Sequence, residues 1–200
     1  MPVQPYLLYL HGFLSSPQSL KARQTLAYCS QAGLGERIAI PRMSHGPSDT
    51  IAQLHQLIDE LNPENLVLMG SSLGGYYATY LSEFYQAPAV LINPAVRPYQ
   101  LWESHLGENR NYYSDEVHVV TDEHIQELRQ IEVGTLSTPA NFRVFLQTGD
   151  ETLDYRQALE KYPASQCVVR ENGSHSYDGF EQELPAMFAF FLSRIDENKR

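Results

Sequence analysis

The sequence predicts an α/β fold: a compact, six-stranded, mainly parallel sheet with helices on both faces. Three observations predict it. Short apolar runs alternate with helical patterns along most of the chain. The runs lack the clean alternation of a sheet with one wet face, so they suit strands buried on both sides. Most of the runs stop at Gly or Pro, where a strand gives way to a crossover; such alternation argues for right-handed βαβ units.

The first run, Tyr6 to Leu10, ends at His11-Gly12. Ser15-Ser16 before Pro17 reads as a cap and a first helical residue, opening a helix that runs to about Gly33. Arg37 to Ile40, stopped by Pro41, is the second strand. Ser48 is placed to cap a helix whose Ile51, Leu54, Leu57, Ile58 and Leu61 share one face, ended by Asn62-Pro63. Leu66 to Met69, closed by Gly70, is the third strand, and a helix from Leu73 to about Gln86 follows. Ala89 to Asn93 is the fourth, before Pro94; Phe142 to Leu146 the fifth, before Gly149-Asp150; Cys167 to Val169 the sixth. Helices over Asp154 to Lys161 and Phe180 to Arg194 complete the pattern, with Pro185 early in the last, where a missing N–H costs least. The expected strand order is 2-1-3-4-5-6.

No repeat, low-complexity tract or long linker divides residues 1–200, so one domain is expected. The exception is residues 97–141, which offer no strand signal in this reading. This stretch carries Tyr99, Trp102, Tyr112 and Tyr113, and a helix over Asp122 to Glu132 capped by Thr121. Such insertions in α/β enzymes usually cover the active site, so a lid is expected, against a structural excursion packed on the side.

Composition excludes several classes. Fourteen basic against 24 acidic residues leave a formal charge of −10. A chain this acidic lacks the basic face that nucleic acid or an anionic membrane needs. No window approaches the ~18 apolar residues of a membrane span, and the N-terminus lacks the basic and cleavage signatures of a signal peptide. Cys29 and Cys167 show no metal or disulfide spacing and read as core thiols, which fits a reducing cytoplasm. No histidine pair has metal spacing and no phosphate-binding glycine loop appears, so neither metal nor cofactor is expected.

The segment Gly70-Ser71-Ser72-Leu73-Gly74-Gly75 contains G-x-S-x-G between a strand and a helix. That context is a nucleophile elbow: a tight turn presents Ser72 at the helix N-terminus, where amides and dipole favour developing negative charge. Ser71, at the x position, is the weaker rival. A serine hydroxyl needs a base, and His175 follows the last strand, at the carboxyl edge where catalytic groups collect. The base needs an acid: Asp150 closes the fifth strand, with Glu151 and Asp154 as competitors, Asp154 fitting a helix cap better. The order Ser72, Asp150, His175 is the Ser…Asp…His order of α/β-hydrolases. The backbone N–H of Leu73 and that of Phe13, in the loop after the first strand, are the expected oxyanion donors. His11 is expected to order that loop by hydrogen bonds. His45 is placed near the mouth, His55 in a helix, and His105, His118 and His124 lie scattered through the insertion.

The chain resembles the YqiA/YcfP-type bacterial esterases of the α/β-hydrolase superfamily. The matching stretches are YLHGFLSSPQSLKA (Tyr9 to Ala22), GSSLGGYYATYLS (Gly70 to Ser82), INPAVRPY (Ile92 to Tyr99), QTGDETLDYRQA (Gln147 to Ala158) and ENGSHSYDGFE (Glu171 to Glu181). The resemblance implies a serine esterase acting through an acyl-enzyme, with Ser72 as nucleophile, Asp150 as acid and His175 as base. It places Asn93 and Arg97 in a matching motif, where they order the pocket, contact substrate or serve as buried structural hydrogen-bonding groups. The expected partner is a small-molecule ester or thioester. The alternatives are an acyl thioesterase on the same triad and a non-catalytic binding protein of the same fold. The insertion's aromatics suit either an acyl pocket or a homodimer contact.

Overall fold

The computed structural model describes residues 4–198. The strands among them are β1 (Tyr6–Leu10), β2 (Ile38–Ala39), β3 (Leu66–Ser71), β4 (Ala89–Ile92), β5 (Gly107–Arg110), β6 (Val117–Val120), β7 (Phe142–Gln147) and β8 (Gln166–Arg170). The helices are α1 (Leu20–Gln31), α2 (Pro47–Leu61), α3 (Leu73–Tyr85), α4 (Pro98–Trp102), α5 (Asp122–Gln130), α6 (Tyr155–Lys161) and α7 (Phe180–Asn198). Six strands form one parallel sheet in the order β2-β1-β3-β4-β7-β8, which is the expected 2-1-3-4-5-6 once β5 and β6 are set aside.

Both faces of the sheet are covered, and the two-residue period of the strands sorts the core accordingly. Leu8, Leu10 and Leu68 pack with Ile51, Leu54 and Ile58 of α2 and with Tyr77 and Leu81 of α3. Leu7, Tyr9, Val67 and Met69 pack on the other face with Cys29 of α1 and with Met187 and Phe191 of α7. Phe191 has no exposed surface, and truncating such a side chain to Ala costs about 3–5 kcal/mol. Of the two cysteines, Cys29 is buried, Cys167 is half-buried, and both are free.

Three expectations need correction. Residues 97–141 do contain strands: β5 and β6 pair antiparallel as a separate hairpin. The signal was the alternation in Val117-His118-Val119-Val120, whose even-numbered residues turn inward. Helix α1 starts at Leu20 rather than Pro17, because the Ser16 hydroxyl accepts from the Gln18 amide and the Ser19 amide bonds the Ser16 carbonyl, closing a separate turn first. Helix α2 opens on Pro47 with Gly46 as its cap; Ser48 lies inside, its amide bonded to Glu127. The other caps are as read: Thr121 accepts from the His124 amide, Asp154 from the Arg156 amide, and Asn62 ends α2 in the left-handed conformation.

Candidate active site

Ser72 is the single residue between β3 and α3, and its backbone is strained at φ 54°, ψ −122°. A serine in that region costs of order 1–3 kcal/mol and persists only where neighbours over-determine it. Here they do. The Ser72 amide bonds the Ile92 carbonyl, and the Ser72 carbonyl accepts from the amides of Gly75 and Ala95. The flanking glycines allow the turn by close approach. A Cβ on Gly70 would lie 2.2 Å from the Gly74 carbonyl oxygen, and one on Gly74 would lie 2.1 Å from that of Leu10. G-x-S-x-G is therefore a steric requirement of β3, α3 and β1 meeting at this point.

His175 lies in the loop between β8 and α7. Its Nε2 is 3.0 Å from Ser72 Oγ, and its Nδ1 is 2.8 and 3.0 Å from the two carboxylate oxygens of Asp150. Asp150 accepts only, so Nδ1–H is the donor and Nε2 is left to accept from the serine hydroxyl. The Asp150 side chain is 2% exposed, and its Oδ1 also accepts from the amides of Thr152 and Leu153. These bonds aim the carboxylate. The competitors take other places. Asp154 caps α6, and Glu151 accepts from the His175 amide at 2.9 Å, which pulls its own carboxyl below the usual range. Ser71 is the buried last residue of β3, and His175 bonds its neighbour instead.

The His175 loop is held by two buried amides, Asn93 and Gln147, of which the sequence singles out only Asn93. Asn93 donates through Nδ2 to the carbonyls of Ser174 and His175, and its Oδ1 accepts from the Gln147 amide. Gln147 accepts through Oε1 from the amides of Ser174 and Asp178 and donates through Nε2 to the Asp178 carbonyl. Of the roles expected for Asn93, the structure shows the buried structural one: it faces the loop backbone. Arg97 is exposed and lines a different cleft, of about 490 Å³, with Glu132 and Lys161.

The loop after β1 passes close to Ser72: a Cβ on Gly12 would lie 3.3 Å from Ser72 Cβ. Phe13 follows it. Leu73 is the first residue of α3, where an amide has no carbonyl one turn back to bond. His11 is buried and donates from Nδ1 to the Gly12 carbonyl at 3.0 Å; burial pushes its imidazole below its usual pKa. It orders this loop, as expected.

A cleft of about 610 Å³ opens over Ser72 and His175, lined also by Phe13, Lys21, Tyr112 and Tyr113. The two tyrosines come from the loop joining β5 to β6, so the insertion reaches the site. Burial lowers the Lys21 ammonium to about 8, and its Nζ donates to the Ser176 carbonyl. The other histidines are less scattered than their spacing implied. His105 and His118 pack edge-on against the Phe13 ring, His45 stacks on His118, and His124 stands beside His118. His55 bonds the Tyr85 hydroxyl, away from the cleft.

Residues 6–192 match an uncharacterised protein family, UPF0227. Solved structures share the architecture. A protein of Agrobacterium vitis S4 bearing a provisional hydrolase name is 22% identical with a TM-score of 0.77, over 95% of this chain and 90% of that one. Alpha/beta hydrolase domain-containing protein 10 from mouse is 16% identical with a TM-score of 0.73, over 94% and 90%. Est1E from Butyrivibrio proteoclasticus, solved with ferulic acid bound, is 13% identical with a TM-score of 0.70, over 96% and 90%. At these identities the likeness is one of fold, an α/β-hydrolase fold. Among the described residues no helix is long and apolar enough to cross a membrane.

Proposed function

The chain belongs to the UPF0227 family, and on that premise we propose that it is a serine esterase hydrolysing small carboxylic esters through an acyl-enzyme. The observation that carries the reading is the continuous hydrogen-bond line from Ser72 Oγ through His175 to Asp150. Nucleophile, base and orienting acid stand in bonding order, Ser72 and His175 lining an open cleft and Asp150 buried behind His175.

Ser72 Oγ attacks the ester carbonyl carbon as His175 Nε2 takes its proton. Asp150 stabilises the imidazolium through Nδ1–H without itself being protonated. The carbonyl oxygen, now negative, is held by the backbone N–H groups of Phe13 and Leu73, the latter at the positive end of α3. His175 then protonates the leaving alcohol, which departs and leaves the acyl group on Ser72. Water enters, gives its proton to His175 and attacks the acyl carbon. Collapse releases the acid and returns the proton to Ser72. The strained Ser72 backbone aims Oγ into the cleft throughout.

A fluorophosphonate probe with peptide mapping tests this. Labelling of the wild type at Ser72, its loss in Ser72→Ala, and turnover of p-nitrophenyl esters are expected. A folded wild type that neither labels nor turns over such esters sinks the reading in favour of a non-catalytic hydrolase-fold protein. Matched acyl thioesters in the same panel decide between esterase and thioesterase.

A further inference from the structure

We propose that the β5–β6 hairpin of the insertion is a buttress that positions the Gly12–Leu14 turn, and with it the Phe13 amide, rather than a lid that opens over the cleft. The inference rests on the esterase reading, in which the Phe13 amide is an oxyanion donor.

The turn is unlikely geometry on its own. Leu14 is a buried non-glycine residue at φ 53°, a conformation that needs outside support. The hairpin loop supplies it. The Tyr112 amide donates to the Leu14 carbonyl at 2.9 Å, and Asn111 Nδ2 donates to the Ser15 carbonyl at 3.0 Å. Asn111 is itself held, with its Oδ1 accepting from the Tyr113 amide and its own amide bonding the Glu116 carbonyl. On the side-chain level, Phe13 is boxed by Trp102 of α4, His105 and His118 of β6, with ring centroids 4.7, 5.8 and 5.1 Å away. The hairpin is tied down from beyond this box, where Glu116 pairs with Arg42 and with His45. Hydrogen bonds to Leu14 and Ser15 and aromatic packing on Phe13 therefore both run from the insertion into the turn. A lid has to break its contacts with the site to admit substrate. These contacts are ones the oxyanion geometry depends on, and breaking them frees a strained residue.

The two functions make opposite predictions for a loosened hairpin. Asn111→Asp keeps the acceptor for Tyr113 but removes the donor to Ser15 and faces a carboxylate at that carbonyl. Glu116→Gln weakens the tie to Arg42 and His45. Both side chains are at the half-buried surface, so folding is expected to survive, checked by melting temperature. With a p-nitrophenyl ester, each is expected to lower kcat about 10-fold, part of the 10²–10³-fold that loss of an oxyanion donor costs, with KM within about twofold. Affinity for an alkyl boronic acid, whose serine adduct is tetrahedral and anionic, is expected to weaken by the same factor as kcat. Unchanged kcat in both variants overturns the proposal. So does faster labelling by a bulky fluorophosphonate, the mark of an opened lid. A wild type inert to ester and probe fails the esterase reading instead, and is told apart by that.

Discussion

The side-chain amide of Asn93 donates to the carbonyl oxygens of both Ser174 and His175, at 3.0 and 3.3 Å, from a position 2% exposed at the end of β4. The fourth strand thus grips the loop that carries His175. Asn93→Asp keeps the acceptor used by the Gln147 amide and loses the donor, and aspartate tolerates the φ of 38° nearly as well as asparagine. It is expected to lower kcat by about 10–100-fold, the scale of a misplaced catalytic group, with little change in KM. Asn141→Ala removes a comparably buried amide, bonded to the Gln86 carbonyl and to Arg194. It is expected to lower the melting temperature and leave kcat alone. Equal kcat losses in the two variants make Asn93 a general stability residue.

Strain at Ser72 separates stability from activity. Glycine adopts the 54° backbone without penalty and alanine does not. Ser72→Gly and Ser72→Ala are both expected to be inactive. Ser72→Gly is expected to be the more stable by about 1 kcal/mol, or roughly 2–4 °C in melting temperature for a chain of this size. Denaturant or thermal unfolding of the pair measures it.

Asp150 and Asp154 sit four residues apart and are expected to fail differently. Asp150→Asn takes away the acceptor that fixes the His175 tautomer, with an expected loss of about 10⁴ in kcat. Asp154→Ala removes the cap of α6 and is expected to cost about 1 kcal/mol of stability without affecting kcat. An active Asp150→Asn enzyme moves the acid role to another carboxylate, Glu151 first.

His118 makes the hairpin sensitive to acid. Burial, together with His45 and His124 beside it, pushes its pKa down to about 4, while Glu116 opposes the shift. Phe13 and Trp102 pack edge-on against its ring, Arg42 pairs with Glu116, and a hydrogen bond with the His45 backbone also opposes the shift. The folded protein thus holds His118 neutral where the unfolded chain would protonate it. Its contribution is present above about pH 6.5, the unfolded value, and is lost as the pH falls toward 4. Melting curves from pH 7 to pH 4 are expected to show a decline in stability that is shallower in His118→Phe. Parallel curves would show that other groups carry the acid sensitivity.

Local pattern determined much of this protein. The six main strands, their order and the meeting of Ser72, Asp150 and His175 were legible because each depends on a short stretch: apolar runs closed by turn residues, glycines flanking Ser72, and Asp150 and His175 just past strand ends. A parallel sheet carries such residues to its carboxyl edge whatever else the chain does. Only the tertiary structure decided how the site is braced. Asn93 meets Ser174 and Gln147 across 81 and 54 residues of chain, and Asn111 meets Ser15 across 96. Bonds of this kind leave no periodic trace, because an amide that holds a distant loop reads in sequence like any other polar residue. The hairpin over Gly107–Val120 was half legible: β6 alternates, but β5 offers no apolar run to pair with it. Strand β5, Gly107–Arg110, is polar and largely exposed, and only its antiparallel pairing with β6 makes it a strand.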